Sequence, residues 1–320
     1  MSQDIYVVIE HLRGKVSDIS YIMLAAGHDL ANSTGGKVVA LLLGHNAQAL
    51  ASNLKADQVL YADHSLLVDF NPEAYQRVLV GVINENKPRA VLFGHTSIGM
   101  DIVGGISAQT GLPLVSSVRT IEQDGKLISQ ICGGKIMTEC ELPEPTALVT
   151  MIPGDYKPEQ GQGTQSPSIT VISVPALDNL RINLTQYIEP ETADVDISKE
   201  PLLIAVGRGI QNQDNITLAD ELAAAIGGVV CASRPVVDQG WLPTSRLVGK
   251  SGSTVKPKIY LAMGISGAPE HVEAIGGSDI IIAINTDPAA PIFNIAKYGT
   301  TADLFDLVPL VAEQVRNTKG

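Results

Sequence analysis

Gly264-Ile265-Ser266-Gly267-Ala268-Pro269-Glu270-His271, directly after the apolar run Ile259–Met263, decides the fold together with Asn285-Thr286-Asp287-Pro288, directly after Ile280–Ile284. In each case a short strand ends in a turn of small and polar residues. Such turns are where an α/β sheet offers backbone N–H groups to a phosphate. Working outward, Leu202–Val206 runs into Gly207-Arg208-Gly209, and Val229–Ala232 runs into Ser233-Arg234-Pro235. A polar loop, Val248-Gly249-Lys250-Ser251-Gly252, follows. A helix starting near Asn215 places Ile216, Ala219, Leu222, Ala223 and Ile226 on one face and ends at Gly227-Gly228. Phe305, Leu307 and Val308 suggest a short helix, with Pro309 as the first residue of a closing helix to Val315. Because ligands of open α/β sheets sit beyond the carboxyl ends of the strands, these junctions converge on one crevice.

The first part of the chain alternates in the same way. Ile5–Ile9, Val38–Leu43, Val59–Tyr61 and Ala90–Phe93 read as continuous apolar strands. Between them lie a helix capped by Ser17 with Ile19, Ile22, Ala26 and Leu30 on one face, a helix opened by Pro72, and a Gly-rich helix around Gly104-Gly105. From about residue 114 no long helix intervenes. Val115–Ile121, Leu127–Ile131, Ala147–Met151 and Ile169–Val174 are strand-like, with turns at Asp124-Gly125 and Gly133-Gly134, and they are expected as added strands at one side of the domain. Residues 178–200 are polar and acidic, which suits a connection between domains. The fold class expected is α/β with two doubly wound domains: residues 1–190 with a parallel sheet and added strands, and a smaller Rossmann-like domain over 201–320.

Composition narrows the function. Hydrophobic residues at 45% and charged residues at 18% describe an ordinary globular protein. A net charge of −12 argues against nucleic acid as a partner. Three cysteines without a Cys-x-x-Cys spacing favour reduced thiols and a cytoplasmic setting, and no apolar run reaches the length of a membrane span. No iron–sulfur motif is present, so redox chemistry would need an organic cofactor. The six histidines never pair at metal-ligand spacing, and no Gly-x-Ser-x-Gly elbow exists. Neither a metal site nor a catalytic residue set is expected. Taken singly, Gly-x-Gly after a strand is usually a tight turn, and a lone His271 on a helix reads first as an exposed polar residue.

The stretch from Gly264 through Ala302, closing on Tyr298-Gly299-Thr300-Thr301-Ala302 with Asp303-Leu304-Phe305 beyond, resembles the FAD-binding signature of the electron transfer flavoprotein α subunit. Phe93-Gly94-His95-Thr96 and Gly99-Met100-Asp101 resemble the N-terminal domain of that family more loosely. The resemblance implies FAD as cofactor and a role as electron carrier rather than stand-alone enzyme. It also implies a heterodimer with a β subunit, to which the N-terminal domain would be the interface. Flavin dehydrogenases such as acyl-CoA dehydrogenases would be donors, and a quinone oxidoreductase or ferredoxin would be an acceptor.

By the same resemblance, Arg208 would neutralise the pyrophosphate or lie along the adenosine. Ser233 and Arg234 would sit by the isoalloxazine ring, where a fixed cation favours the electron-rich form. Val248, Gly249, Lys250 and Ser251 would form the loop near flavin N5, with Ser251 where the family has Thr and Lys250 where it has Gln. Lys250 either faces the ring or points into solvent. Ser266, Gly267, Ala268, Pro269 and Glu270 would meet the pyrophosphate, and His271 would lie near flavin O2. Asn285, Asp303 and Leu304 would hold the ribose and adenine. Trp241 reads as a core or interface anchor rather than a flavin-stacking ring. One alternative is a relative that bifurcates electrons from NADH with a second FAD on the β subunit. Another, from a different class, is an NAD(P)-dependent dehydrogenase, which lacks the full glycine fingerprint here.

Overall fold

Every other residue along Leu202–Val206 faces the same way. Ile204 and Val206 pack into one apolar cluster while Leu203 and Ala205 pack into another, so this strand is covered on both faces. The computed structural model describes residues 2–132, 136–187 and 195–319, in two units, Met1–Tyr187 and Ile188–Gly320.

The first unit runs β1 (Ile5–Val8), β2 (His11–Leu12), β3 (Lys15–Val16), α1 (Asp18–Thr34), β4 (Val38–Gly44), β5 (Gln58–Asp63), α2 (Pro72–Asn86), β6 (Ala90–Gly94) and α3 (Ser97–Thr110). It continues through β7 (Leu114–Ile121), β8 (Leu127–Ile131), β9 (Ile136–Cys140), β10 (Ala147–Met151) and β11 (Ser168–Ile172). The nine-stranded sheet has the order β11-β5-β4-β1-β6-β10-β7-β8-β9. The pairs from β11 to β7 are parallel, and β7-β8-β9 are antiparallel. Ile5 and Val7 pack with Ile22 and Leu24 from α1, and Tyr6 and Val8 with Leu79 and Ile102 from α2 and α3.

The late strands do not all lie at one side, contrary to expectation. β10 is an interior strand paired with β6 on one edge and β7 on the other, while β11 joins β5 at the opposite edge. All five residues of β10 are buried, which an added edge hairpin would not allow. The turn at Asp124-Gly125 forms, with Gly125 at φ 86°. The Gly133-Gly134 turn lies outside the described residues.

Just past β1, Glu10 is only 5% exposed. Thr96 Oγ1, at the N-cap of α3, donates to its carboxyl at 2.8 and 2.9 Å. A Cβ at Gly94 would collide with that carboxyl.

The second unit runs β12 (Leu202–Val206), α4 (Ile216–Ile226), β13 (Val229–Ala232), α5 (Arg234–Asp238), β14 (Ile259–Met263), α6 (Pro269–Ile275), β15 (Ile280–Ile284), β16 (Tyr298–Thr300) and α7 (Leu304–Lys319). The sheet is wholly parallel in the order β13-β12-β14-β15-β16. Strand order therefore reverses between β12 and β14, which places the binding crevice of a doubly wound sheet beyond their carboxyl ends. One face carries α4 and α7, the other α6.

Pro309 does not open a helix: α7 starts at Leu304 and runs through it. Asp303 supplies the start by accepting the Phe305 N–H at 2.9 Å, and burial of Leu304, Val308 and Ala312 holds the helix across the proline. Trp241 packs part-buried on this same core. No helix among the described residues is long and apolar enough to cross a membrane.

Candidate functional site

Two groups of residues gather at the carboxyl edge of the smaller sheet. The first surrounds the switch point. Gly207 N–H donates to Met263 O at 2.8 Å and Gly209 N–H to Gly264 O at 3.1 Å. Gly264 sits at φ 64°, and a Cβ there would stand 2.6 Å from Gly209 Cα. The turns after β12 and β14 thus pass each other backbone to backbone, which only glycine permits. Beside them opens a cleft of about 220 Å³ whose walls include Gly209, Gly264, Asn285, Thr286, Asp303 and Leu304. Asn285 Nδ2 donates to Ile265 O at 2.9 Å, while its Oδ1 accepts the Asp287 N–H at 3.0 Å. This side chain therefore ties the β14 and β15 turns together while lining the cleft. Arg208 is exposed between Gly207 and Gly209, and Ser266 is exposed beyond Gly264.

The second group is built around residues 248–253. Val248 N–H donates to Ala232 O at 2.9 Å, Gly249 N–H to Ser253 O at 3.3 Å, and Lys250 N–H to Glu270 O at 3.0 Å. Ser251 Oγ accepts from Arg234 Nη1 at 2.9 Å, and Arg234 Nε pairs with Asp238 at 3.3 Å. Arg234 is the first residue of α5, with the buried Ser233 as N-cap. Lys250 is exposed. Gly267, at φ 87°, presses its backbone on Ile292, where a Cβ would overlap the Ile292 amide nitrogen. Ala268 is the N-cap of α6, and Pro269 and Glu270 are exposed in its first turn.

His271 departs from the plain reading of an exposed histidine: it is 6% exposed. Its Nδ1 lies 3.1 Å from Val248 O and its Nε2 2.9 Å from the Tyr260 hydroxyl. Burial pushes its pKa down to about 4, against a raising contribution from Val248. The ring is therefore neutral at neutral pH. A carbonyl only accepts, so Nδ1 carries the ring proton and donates it to Val248. That bond is internal to the protein. Through it His271 holds the loop at Val248.

Of the residues expected at the site, Asn285, Asp303 and Leu304 line the cleft, and Arg234 and Ser251 are in direct contact. Sequence reasoning gave no site role to Gln211, Ile284, Thr286, Ala302 and Phe305, which complete the cleft wall. It also missed Tyr260. A tyrosine inside a buried strand must place its hydroxyl on a partner, and that was the available signal.

A parallel sheet of this order, with glycine turns closing on a polar cleft at the reversal point, defines a nucleotide- or flavin-binding doubly wound domain. Residues 196–276 match the electron transfer flavoprotein FAD-binding domain, and residues 5–177 match the electron transfer flavoprotein domain. The chain belongs to the electron transfer flavoprotein α-subunit family. It is 32% identical to an electron transfer flavoprotein subunit alpha from Thermoanaerobacterium thermosaccharolyticum, over 99% of both chains. It is 31% identical to the corresponding subunit from Bacillus subtilis, over 99% of this chain and 98% of that one. It is 33% identical to an acryloyl-CoA reductase electron transfer subunit beta from Anaerotignum propionicum, over 99% of this chain and 97% of that one. Its cofactor is FAD, and as an α subunit it works in a heterodimer with a β subunit. The residues present suit that cofactor. Exposed Arg208 and Arg234 supply positive charge for a pyrophosphate, and Asp303, in the cleft wall, can accept from ribose hydroxyls.

Proposed function

We propose that this chain carries electrons between a flavin dehydrogenase and a downstream acceptor, using FAD held at the carboxyl edge of the smaller sheet. The observation carrying this reading is the side-chain-free meeting of the Gly207-Arg208-Gly209 and Gly264–Gly267 turns beside the Asn285–Asp303 cleft. When bound, the flavin supplies one- and two-electron transfer. Every other contribution comes from the chain. Asn285, Asp303 and Leu304 bind the adenosine end. Arg208 and the backbone of Ser266, Gly267 and Ala268 neutralise the pyrophosphate. Arg234 fixes a positive charge beside the ring with Ser233, and it is held in place by Asp238 and Ser251. Loop 248–251 covers the ring edge and limits water there. His271 anchors that loop from the protein side.

Residues 1–190 form the interface to the β subunit and 201–320 the cofactor domain. The pair acts in the cytoplasm, consistent with three free thiols. The acryloyl-CoA reductase relative, by its name, serves an enzyme of CoA thioesters, and a flavin dehydrogenase such as an acyl-CoA dehydrogenase would be the donor here. A quinone oxidoreductase or ferredoxin would accept the electrons. The test is co-expression with a neighbouring β-subunit gene, followed by an absorption spectrum and a flavin-to-protein ratio. One FAD per heterodimer is expected for a carrier. Two would assign the complex to the electron-bifurcating branch, and a colourless complex would refute the reading.

A further inference from the structure

Behind the loop that Arg234 touches lies a polar chain in an otherwise apolar layer. Cys231, on β13, and Tyr260, on β14, are both fully buried and belong to the cluster that also holds Val248, Ala262 and Ile275. The Tyr260 hydroxyl lies 2.9 Å from His271 Nε2. The direction of each bond follows from its far end. Val248 O can only accept, so His271 Nδ1 carries the proton. Nε2 then presents a lone pair, and the only group offered to it is the Tyr260 O–H, which must donate. Tyr260 and His271 thus adopt one arrangement, reaching from the middle of the sheet to the carbonyl of Val248.

That carbonyl is a controlling point of the loop. The first turn of α6 grips the loop twice, through His271 at Val248 O and through Glu270 O at the Lys250 N–H. The two grips are two residues apart, as an extended backbone requires for groups on one side. Between and after them the chain turns, through Gly249 at φ 152°, to set Ser251 Oγ against Arg234 Nη1.

We propose that Tyr260 is a positioning residue: through His271 it holds the Val248 carbonyl, and with it the loop that sets Lys250, Ser251 and Arg234 for the flavin. The buried hydroxyl also has chemical reason to stay a protonated donor, because burial raises the Tyr260 pKa well above its ordinary value. The inference rests on the loop belonging to the FAD site, as proposed above.

Tyr260→Phe removes the hydroxyl at nearly constant volume, leaving Nε2 without its donor. In the FAD-loaded heterodimer with selectively 15N-labelled histidines, His271 should show the Nδ1–H tautomer in the unmodified protein. In Tyr260→Phe it should become a mixture of tautomers. The flavin midpoint potential should shift, and FAD should bind several-fold more weakly, about threefold to tenfold for loss of one buried hydrogen bond. An unchanged His271 spectrum in Tyr260→Phe would overturn the inference. So would a changed spectrum with potential and FAD affinity both as in the unmodified complex. Loss of FAD from the unmodified heterodimer would instead refute the functional reading, a result visible before any substitution is made.

Discussion

Replacing Glu10 by Gln removes a carboxyl group that burial holds in its protonated form. Burial raises the Glu10 pKa from 4.5 to about 7, and hydrogen bonds from Thr96 and the Gly94 backbone offset only part of that rise. Between those two values the folded chain keeps a proton that the unfolded chain has released. The stabilisation is therefore whole below pH 4.5, declines as pH rises, and is lost once pH passes about 7. At about 1.4 kcal/mol per pH unit, the interval corresponds to about 3 kcal/mol of stability lost between pH 5 and 8. For a unit of this size that is a fall in Tm of about 6–12 °C beyond what other groups contribute. Glu10→Gln cannot ionise and keeps an acceptor for Thr96, so its stability should lack this component. Thermal unfolding of both heterodimers at half-unit steps from pH 5 to 8 checks it, because titrations shared by the two proteins cancel in the difference. A difference in Tm that stays flat across that range would refute the reasoning, since a Glu10 ionised throughout cannot produce a slope.

Three further substitutions test the cofactor site. Arg234→Ala removes the cation placed by Asp238 and Ser251 and should lower the flavin potential in redox titration; an unchanged potential would remove Arg234 from the ring. Lys250→Gln should lower the potential as well if the ammonium faces the flavin, and no shift would assign the side chain to solvent. Gly267→Ala puts a Cβ into the Ile292 backbone at φ 87° and should cost about 1–3 kcal/mol along with much of the bound FAD. Retention of both full Tm and full flavin content would show that the turn need not pass so close to Ile292.

Leu202–Val206 and Ile280–Ile284 were legible as buried strands because an apolar run between glycine turns has few other places to go. The helix ends were legible for a similar reason: Gly35 and Gly227 occupy the left-handed conformation that closes α1 and α4, while Ser17 stands at the N-cap of α1 without the side-chain bond its residue type suggested. The interior place of β10 was not legible, since burial of Ala147–Met151 shows that a strand needs two neighbours without naming β6 and β7. Pro309 was misread for the opposite reason. A local rule about proline yielded to tertiary packing of Leu304, Val308 and Ala312. The site divides along the same line. Small and polar residues directly after an apolar strand announce a turn locally, which is why Gly264 and Asn285 could be placed at strand ends, whereas Asp303 came only through the family resemblance. The burial of His271 could not be, because it depends on a strand 11 residues earlier in the chain bringing Tyr260 to its Nε2. Yet Tyr260 itself carried a usable sign. A phenol in a strand flanked by Ile259, Leu261 and Ala262 cannot leave its hydroxyl bare in an apolar layer, so it requires a polar partner from another element. In the second domain of this chain that partner is His271, and the requirement of one buried hydroxyl reaches the loop expected to face the flavin.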